Sequence, residues 1–323
     1  MPPANRSPAI DAALTARFAE DLAKLWPTGQ PVGLAVSGGP DSTALLLLAH
    51  AAIPDAFAVA SVDHGLRVES AAEAAMVAGL CAERGIAHRT ITLALSGGAG
   101  VQARAREARY AALGQWLEDE GLGALVTAHH ADDQAETLVM RLNRGAGLRG
   151  LAGMRARAAV PGTAQPLLRP LLGWRRGELV DICAQAGLSA VDDPSNRDPR
   201  FERARLRIAM AKADWLDRAA LAASATHLAE ADEVLDWAVA QAVGSLAPVG
   251  DALVWQPAGP RALQLRVLET VIARMGRSVP RGSEVARWHG RLAVGEVATL
   301  AGVRGDGRAA EWRFTPAAPH RAG

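Results

Sequence analysis

Short, wholly apolar runs alternate with longer stretches of helical spacing through the first two thirds of the chain. Pro31 to Val36 reads as a buried strand, and Ala44 to Ala52 as the helix that follows it. Phe57 to Val62 is a second strand. Glu69 to Arg84 then carries Ala72, Met76, Val77 and Leu80 on one helical stripe. Thr90 to Leu93, Val101 to Leu117, Ala124 to Ala128 and Asp132 to Leu142 continue the order as strand, helix, strand, helix. Strict alternation predicts an α/β fold, a parallel sheet with helices on both faces. Ligands of such sheets bind beyond the carboxyl ends of the strands. Ser37, Asp63 and His129 each follow a strand, so they are expected to face one crevice.

The texture changes after Leu142. Residues 143 to 173 are rich in Gly, Arg and Pro and read as a long loop, Trp174 to Ala186 returns to helix, and Asp192 to Asn196 is a turn cluster. From about residue 214 the pattern is mostly helical, over 217 to 244 and 260 to 276, with strand-like pieces near 297 to 301 and 311 to 314. The length of 323 residues allows two domains. The expectation is an N-terminal α/β domain over 1–215 and a smaller, mainly helical C-terminal domain over 216–323.

The formal net charge of +1 points to no particular partner. Cys81 and Cys183 stand far apart, which excludes a disulfide framework or a zinc-finger spacing and fits a reducing cytoplasm. No apolar signal-peptide stretch opens the sequence. The longest apolar run, Ala44 to Ala49, is too short to span a bilayer, so no membrane partner is expected.

Ser37-Gly38-Gly39-Pro40-Asp41-Ser42 sits between a strand and a helix. Two glycines let the backbone turn sharply and aim N–H groups inward, and the helix N-terminus adds its dipole, making a fixed anion site. Ser37 and Ser42 add hydroxyls, and Pro40 suits a first helical turn. A carboxylate among phosphates suggests a cation, so Asp41 is the candidate Mg²⁺ ligand. No G-x-x-x-x-G-K-[ST] occurs anywhere in the chain. The six residues resemble the loop of the N-type ATP pyrophosphatase (PP-loop) superfamily. That resemblance implies ATP cleavage between the α- and β-phosphates and transfer of AMP to a carbonyl-type oxygen.

Two further segments narrow the chemistry. In His129-His130-Ala131-Asp132-Asp133-Gln134-Ala135-Glu136, helical spacing puts Asp132 and Glu136 on one face with Asp133 beside them. Acids at a helix start also complement the dipole, but three acids with two histidines exceed what capping needs. Such a cluster suits a diamine or a metal ion. Residues 141 to 176 carry eight arginines and no Asp or Glu, a composition that asks for a polyanion such as RNA. Residues 261 to 291 hold seven arginines against Glu269 and Glu284, which suits either a second RNA-facing surface or an ordinary amphipathic helix pair.

With Val62-Asp63-His64-Gly65-Leu66-Arg67, Ala105-Arg106-Glu107-Ala108-Arg109-Tyr110, the Arg-Gly-x-Gly-Leu-Arg-Gly-Leu-x-Gly-Met stretch from Arg144 to Met154, Asp193-Pro194-Ser195-Asn196 and Phe201-Glu202-Arg203, the chain closely resembles the tRNA(Ile)-lysidine synthetase family. The similarity is dense from about 31 to 207. It implies adenylation of the 2-carbonyl oxygen of the wobble cytidine in a CAU anticodon of tRNA(Ile), followed by displacement of AMP by the ε-amine of free L-lysine. On this resemblance Ser37, Gly38, Gly39, Pro40, Asp41, Ser42, Asp63 and His64 take ATP. Arg106 neutralises charge at the α-phosphate, with an i,i+3 surface role as the alternative. Asp132, Asp133 and Glu136 hold the lysine, and His129 supports them. Arg141, Arg144, Arg149, Arg203, Arg205 and Arg207 meet the tRNA. The family pattern carries Asn where Ala204 stands, and longer relatives carry an additional C-terminal domain. The short form fits a homodimer. The rival expectations are a PP-loop tRNA thiolation enzyme, against which the absence of clustered cysteines counts, and a non-catalytic RNA-binding protein.

Overall fold

The computed structural model describes residues 10–63, 65, 68–94, 100–188 and 202–317. His64, Arg67 and the Asp193 to Phe201 part of the family motifs lie outside the described residues. The chain divides into two compact units, 1–229 and 230–323.

In the first unit α1 (Ala12–Leu25) precedes β1 (Val32–Ala35), α2 (Pro40–Ala52), β2 (Phe57–Asp63), α3 (Val68–Glu83), β3 (His88–Thr92), α4 (Val101–Asp119), β4 (Leu125–Val126) and α5 (Ala131–Asn143). The expected alternation is present. The stretch expected to be loop holds more structure: α6 (Leu148–Leu151), β5 (Arg157–Ala159) and β6 (Pro166–Leu168). α7 (Arg176–Gln185) and α8 (Glu202–Lys212) follow. Among the described residues the strands form a six-stranded sheet in the order β3-β2-β1-β4-β6-β5. All neighbours are parallel except β5 and β6, which pair antiparallel.

Each central strand buries both faces, which is why its sequence is continuously apolar. Leu34, Val59, Val126 and Leu168 point into a core with Phe18 of α1, Leu45 of α2, Val77 of α3 and Ile182 of α7. Their neighbours Ala35, Ala60, Leu125 and Leu167 point the other way, onto Leu113, Trp116 and Leu117 of α4. Gly33 makes the close approach of α4 feasible, because a Cβ there would lie 2.5 Å from both Leu117 Cδ2 and Trp116 Cζ3.

α9 (Arg218–Val243) runs across the division between the units. The second unit contains β7 (Ala247–Val249), β8 (Ala252–Trp255), α10 (Arg261–Arg274), α11 (Gly282–Ala293), β9 (Val297–Leu300), β10 (Val303–Asp306) and β11 (Trp312–Pro316). Helix still supplies most of its regular residues, but the two strand-like pieces expected near its end belong to a five-stranded antiparallel sheet, β7-β8-β11-β10-β9. The other strands are only three or four residues long, too short for an alternating pattern to stand out. Trp255, Trp288, Trp312 and Phe314 fill its core. α10 and α11 bury an apolar stripe there, the amphipathic pair that was one of the two expectations for 261 to 291. Among the described residues no helix is long and apolar enough to cross a membrane.

Candidate active site

β1 ends and the chain turns through Ser37 to Gly39 into α2, with Gly38 at φ +89° and Pro40 in the first helical turn. The turn is held by Ser42: its Oγ accepts from the Ser37 amide at 3.1 Å, lies 3.2 Å from Ser37 Oγ and donates to Gly39 O at 3.0 Å. Ser42 is therefore part of the scaffold of the anion site as well as a candidate ligand. Asp63, at the end of β2, receives the Gly65 amide at 2.9 Å and the Ser70 hydroxyl.

His130 joins this loop to the acids of α5. Its ring is 1 % exposed, and Nε2 lies 3.5 Å from both Asp41 Oδ2 and Asp133 Oδ2, with Nδ1 3.9 Å from Asp132 Oδ2. Burial opposes a charge on this ring. The hydrogen bond to Asp41 and the fields of Asp133, Asp41 and Asp132 outweigh burial and raise its pKa. His130 stood in the cluster expected from the sequence but was given no role of its own there; a histidine close to acids was the available signal.

The three acids are not grouped as helical spacing suggested. Asp132 was expected beside Glu136, but it turns to the Arg176 amide at 2.9 Å and to Arg218 at 3.2 Å. Beside it opens a cleft of about 550 Å³ whose lining includes Arg175, Glu178, Asp181, Asp217 and Arg218. Asp133 and Glu136 instead share Arg203, which reaches each at 2.7 Å, and Arg207 adds a second grip on Glu136. Glu136 is 3 % exposed; burial would raise its pKa, but the hydrogen bonds from Arg207 and Arg203 lower it below the usual range. The structure thus brings Arg203 and Arg207 to the acidic site. Arg205 is exposed on the same helix, and Ala204 is buried.

His129 behaves oppositely to its neighbour. Nδ1 pairs with Thr127 Oγ1 at 2.9 Å, and burial, then Arg169, Arg203, Arg106 and Arg109, push its pKa down to about 3. Arg106 stacks on Tyr110, its Cζ 5.0 Å from the ring centroid. Arg109, named from the sequence only as part of a family motif, and Arg169, hidden in the stretch read as loop, belong to this basic side of the crevice.

The arginine-rich stretch proves partly internal. Arg141 donates to the carbonyls of Gly150 and Gly153, and Arg144 pairs with Glu202. Gln134 binds Met154 through both its amide atoms, at 2.7 and 2.8 Å, which fixes the end of the glycine motif against α5. Gly153 has φ +66°, and a Cβ there would lie 2.5 Å from Gln134 Oε1. The expectation that these arginines lack acidic partners is corrected for Arg144 and for Arg176, which lies 3.8 Å from Asp41. Sequence proximity could not reveal partners so distant along the chain.

Asp41 fits a cation through Oδ1, a buried carboxylate oxygen that accepts no hydrogen bond. The described residues contain no group of three His, Cys, Asp or Glu suited to a metal, so phosphate oxygens or water would have to complete the coordination of Mg²⁺.

A PP-loop domain family matches residues 11–213. The tRNA(Ile)-lysidine synthase of Novosphingobium aromaticivorans is 58 % identical over 308 residues, covering 94 % of each chain. The chain belongs to the tRNA(Ile)-lysidine synthase family. That of Zymomonas mobilis is 40 % identical over 304 residues, covering 91 % of each chain. Similarity to this lysidine synthase family therefore extends well past residue 207. Among solved structures, the U34-tRNA thiolase NcsA from Methanococcus maripaludis with its [4Fe-4S] cluster superposes with a TM-score of 0.53 at 14 % identity, covering 68 % of this chain and 79 % of that one. That likeness concerns the fold alone.

Proposed function

We propose that this chain joins the ε-amine of free L-lysine to carbon 2 of the wobble cytidine in the CAU anticodon of tRNA(Ile), in the cytoplasm. The observation that carries the reading is the single imidazole of His130 between Asp41 of the phosphate loop and Asp133 of the acidic cluster, 3.5 Å from each. An ATP site and a site for a cationic amine are thereby neighbours.

In the first step the cytidine 2-oxygen attacks the α-phosphorus of ATP, and pyrophosphate leaves. Ser37, Gly38, Gly39 and Ser42 hold the leaving group through backbone and hydroxyl donors, and Pro40, which has no N–H to give, sets the first turn of α2 behind them. Asp63 and His64 belong to the same ATP-binding group. Arg106 is placed to offset charge at the α-phosphate. Mg²⁺, held by Asp41 and the phosphates, would supply charge neutralisation. In the second step the lysine amine attacks carbon 2 and AMP departs with the oxygen. Asp133 and Glu136 bind the ammonium, with Asp132 and His129 in support. The free amine has a pKa near 10.4, so a carboxylate takes its proton as attack proceeds. Arg144, Arg149 and Arg205 meet the RNA, while Arg141, Arg203 and Arg207 also order the site. A homodimer is compatible with this reading.

Purified protein, ATP, labelled lysine and CAU-anticodon tRNA test the proposal. Label is expected in the RNA with one AMP and one pyrophosphate per lysine. ATP consumption with no lysine in the RNA would overturn it, and sulfur incorporation would favour the thiolation chemistry instead.

A further inference from the structure

β6 brings Arg169 to the edge of the sheet that carries the phosphate loop. Leu168 is paired with Val126, and Val126 with Leu34, so the residues that follow these three strands emerge side by side. Arg169 is 7 % exposed. One of its terminal nitrogens donates to Arg155 O at 2.6 Å, but its buried Nε has no hydrogen-bond partner. The Nε of Arg109, on α4, is likewise buried and unpartnered. Tyr110 interacts with both guanidinium groups, and no carboxylate among the described residues acts on either. Arg106 on the Tyr110 ring adds a third positive charge. A buried guanidinium Nε without an acceptor is costly, and one tetrahedral anion could satisfy both Nε groups together with their neighbouring fork nitrogens.

We propose that Arg169 and Arg109 receive one phosphate group at a position separate from the pyrophosphate loop. Two sources share this chemistry: the α-phosphate of the nucleotide and a backbone phosphate of the RNA beside the wobble cytidine. Naming these two sources rests on the function proposed above; the anion site itself does not. His129 is a natural reporter, because Arg169 is the largest of the charges acting on it after burial. A bound anion would cancel part of that field.

The test begins with the wild-type chain saturated with pyrophosphate and titrated with inorganic phosphate, while the His129 ring is followed by NMR. The ring signal is expected to move and the His129 pKa to rise from about 3. An unmoved ring overturns the site. In Arg169→Gln the response is expected to vanish, and two affinities then separate the sources. A tenfold or greater loss of ATP affinity without RNA identifies the nucleotide phosphate. A similar loss of tRNA affinity without ATP, with the log–log salt slope shallower by about one, identifies the RNA phosphate. If both affinities stay within twofold while the unfolding temperature falls, Arg169 is only a strut to the Arg155 carbonyl, and the proposal fails. If Arg169→Gln does not fold, the wild-type titration still decides. A phosphate response without lysine incorporation would reject the proposed reaction and leave the anion site standing.

Discussion

Arg207 grips both carboxylate oxygens of Glu136, with Nε 2.7 Å from Oε1 and Nη2 3.2 Å from Oε2. Arg203 shares Oε2 at 2.7 Å, so a lysine ammonium must join or displace an arginine already in place. Glu136→Gln is expected to raise the lysine KM more than the ATP KM. It should also destabilise the protein by about 1–3 kcal/mol, since hydrogen bonds to charged groups are lost inside the fold. Steady-state kinetics and thermal unfolding check both effects, and equal rises in the two KM values would make Glu136 purely structural. Because its folded pKa is lowered, its contribution to stability is full above the ordinary glutamate pKa and fades as pH falls through the folded value.

Asp41→Asn is expected to abolish adenylation, read as tRNA-dependent exchange of pyrophosphate into ATP, while tRNA affinity changes less than threefold. The amide keeps the shape but removes the anionic oxygen that fits a cation and the charge facing His130. Retained exchange would sink the metal role.

His129 and His130 are adjacent in sequence, yet their pKa values are displaced in opposite directions. At pH 5 His129 is expected to be neutral and His130 an imidazolium. For His129, whose folded pKa is depressed, stability is present above about 6.5 and is lost as pH falls from there toward 3. For His130, whose folded pKa is raised, stability is present below the unfolded value and is lost as pH rises through the folded one. Ring nitrogen shifts across pH 4 to 8 distinguish them; parallel titration would contradict the assignment.

The arginines of the glycine-rich segment should divide into two kinds. Arg141→Ala is expected to lower the unfolding temperature, because two carbonyls lose their donor. Replacing Arg144 and Arg149 together should flatten the salt dependence of tRNA binding by up to two phosphate contacts. An unchanged salt slope would mean that neither touches the RNA backbone.

The parallel sheet, the phosphate loop and the acids of α5 were legible because each is written locally. A buried strand is a short apolar run, and a phosphate turn needs glycines beside a helix start. β6 was not legible: its three residues, Pro166 to Leu168, are too few to show a period, and proline obscures them further. Missing it hid Arg169. α8 escaped for a different reason, since the placing of Arg203 and Arg207 on it becomes meaningful only against Glu136 and Asp133.

Local pattern alone determined the α/β class, the anion-binding turn at Ser37 to Ser42 and the presence of three carboxylates after β4. Which carboxylate meets which partner was decided by tertiary packing. Helical spacing cannot tell Asp132 from Asp133 when the groups that claim them come from α7, α8, α9 and the phosphate loop. The strong energies of buried charges depend on partners distant in the chain, and here those partners pulled Asp132 away and joined Asp133 to Glu136.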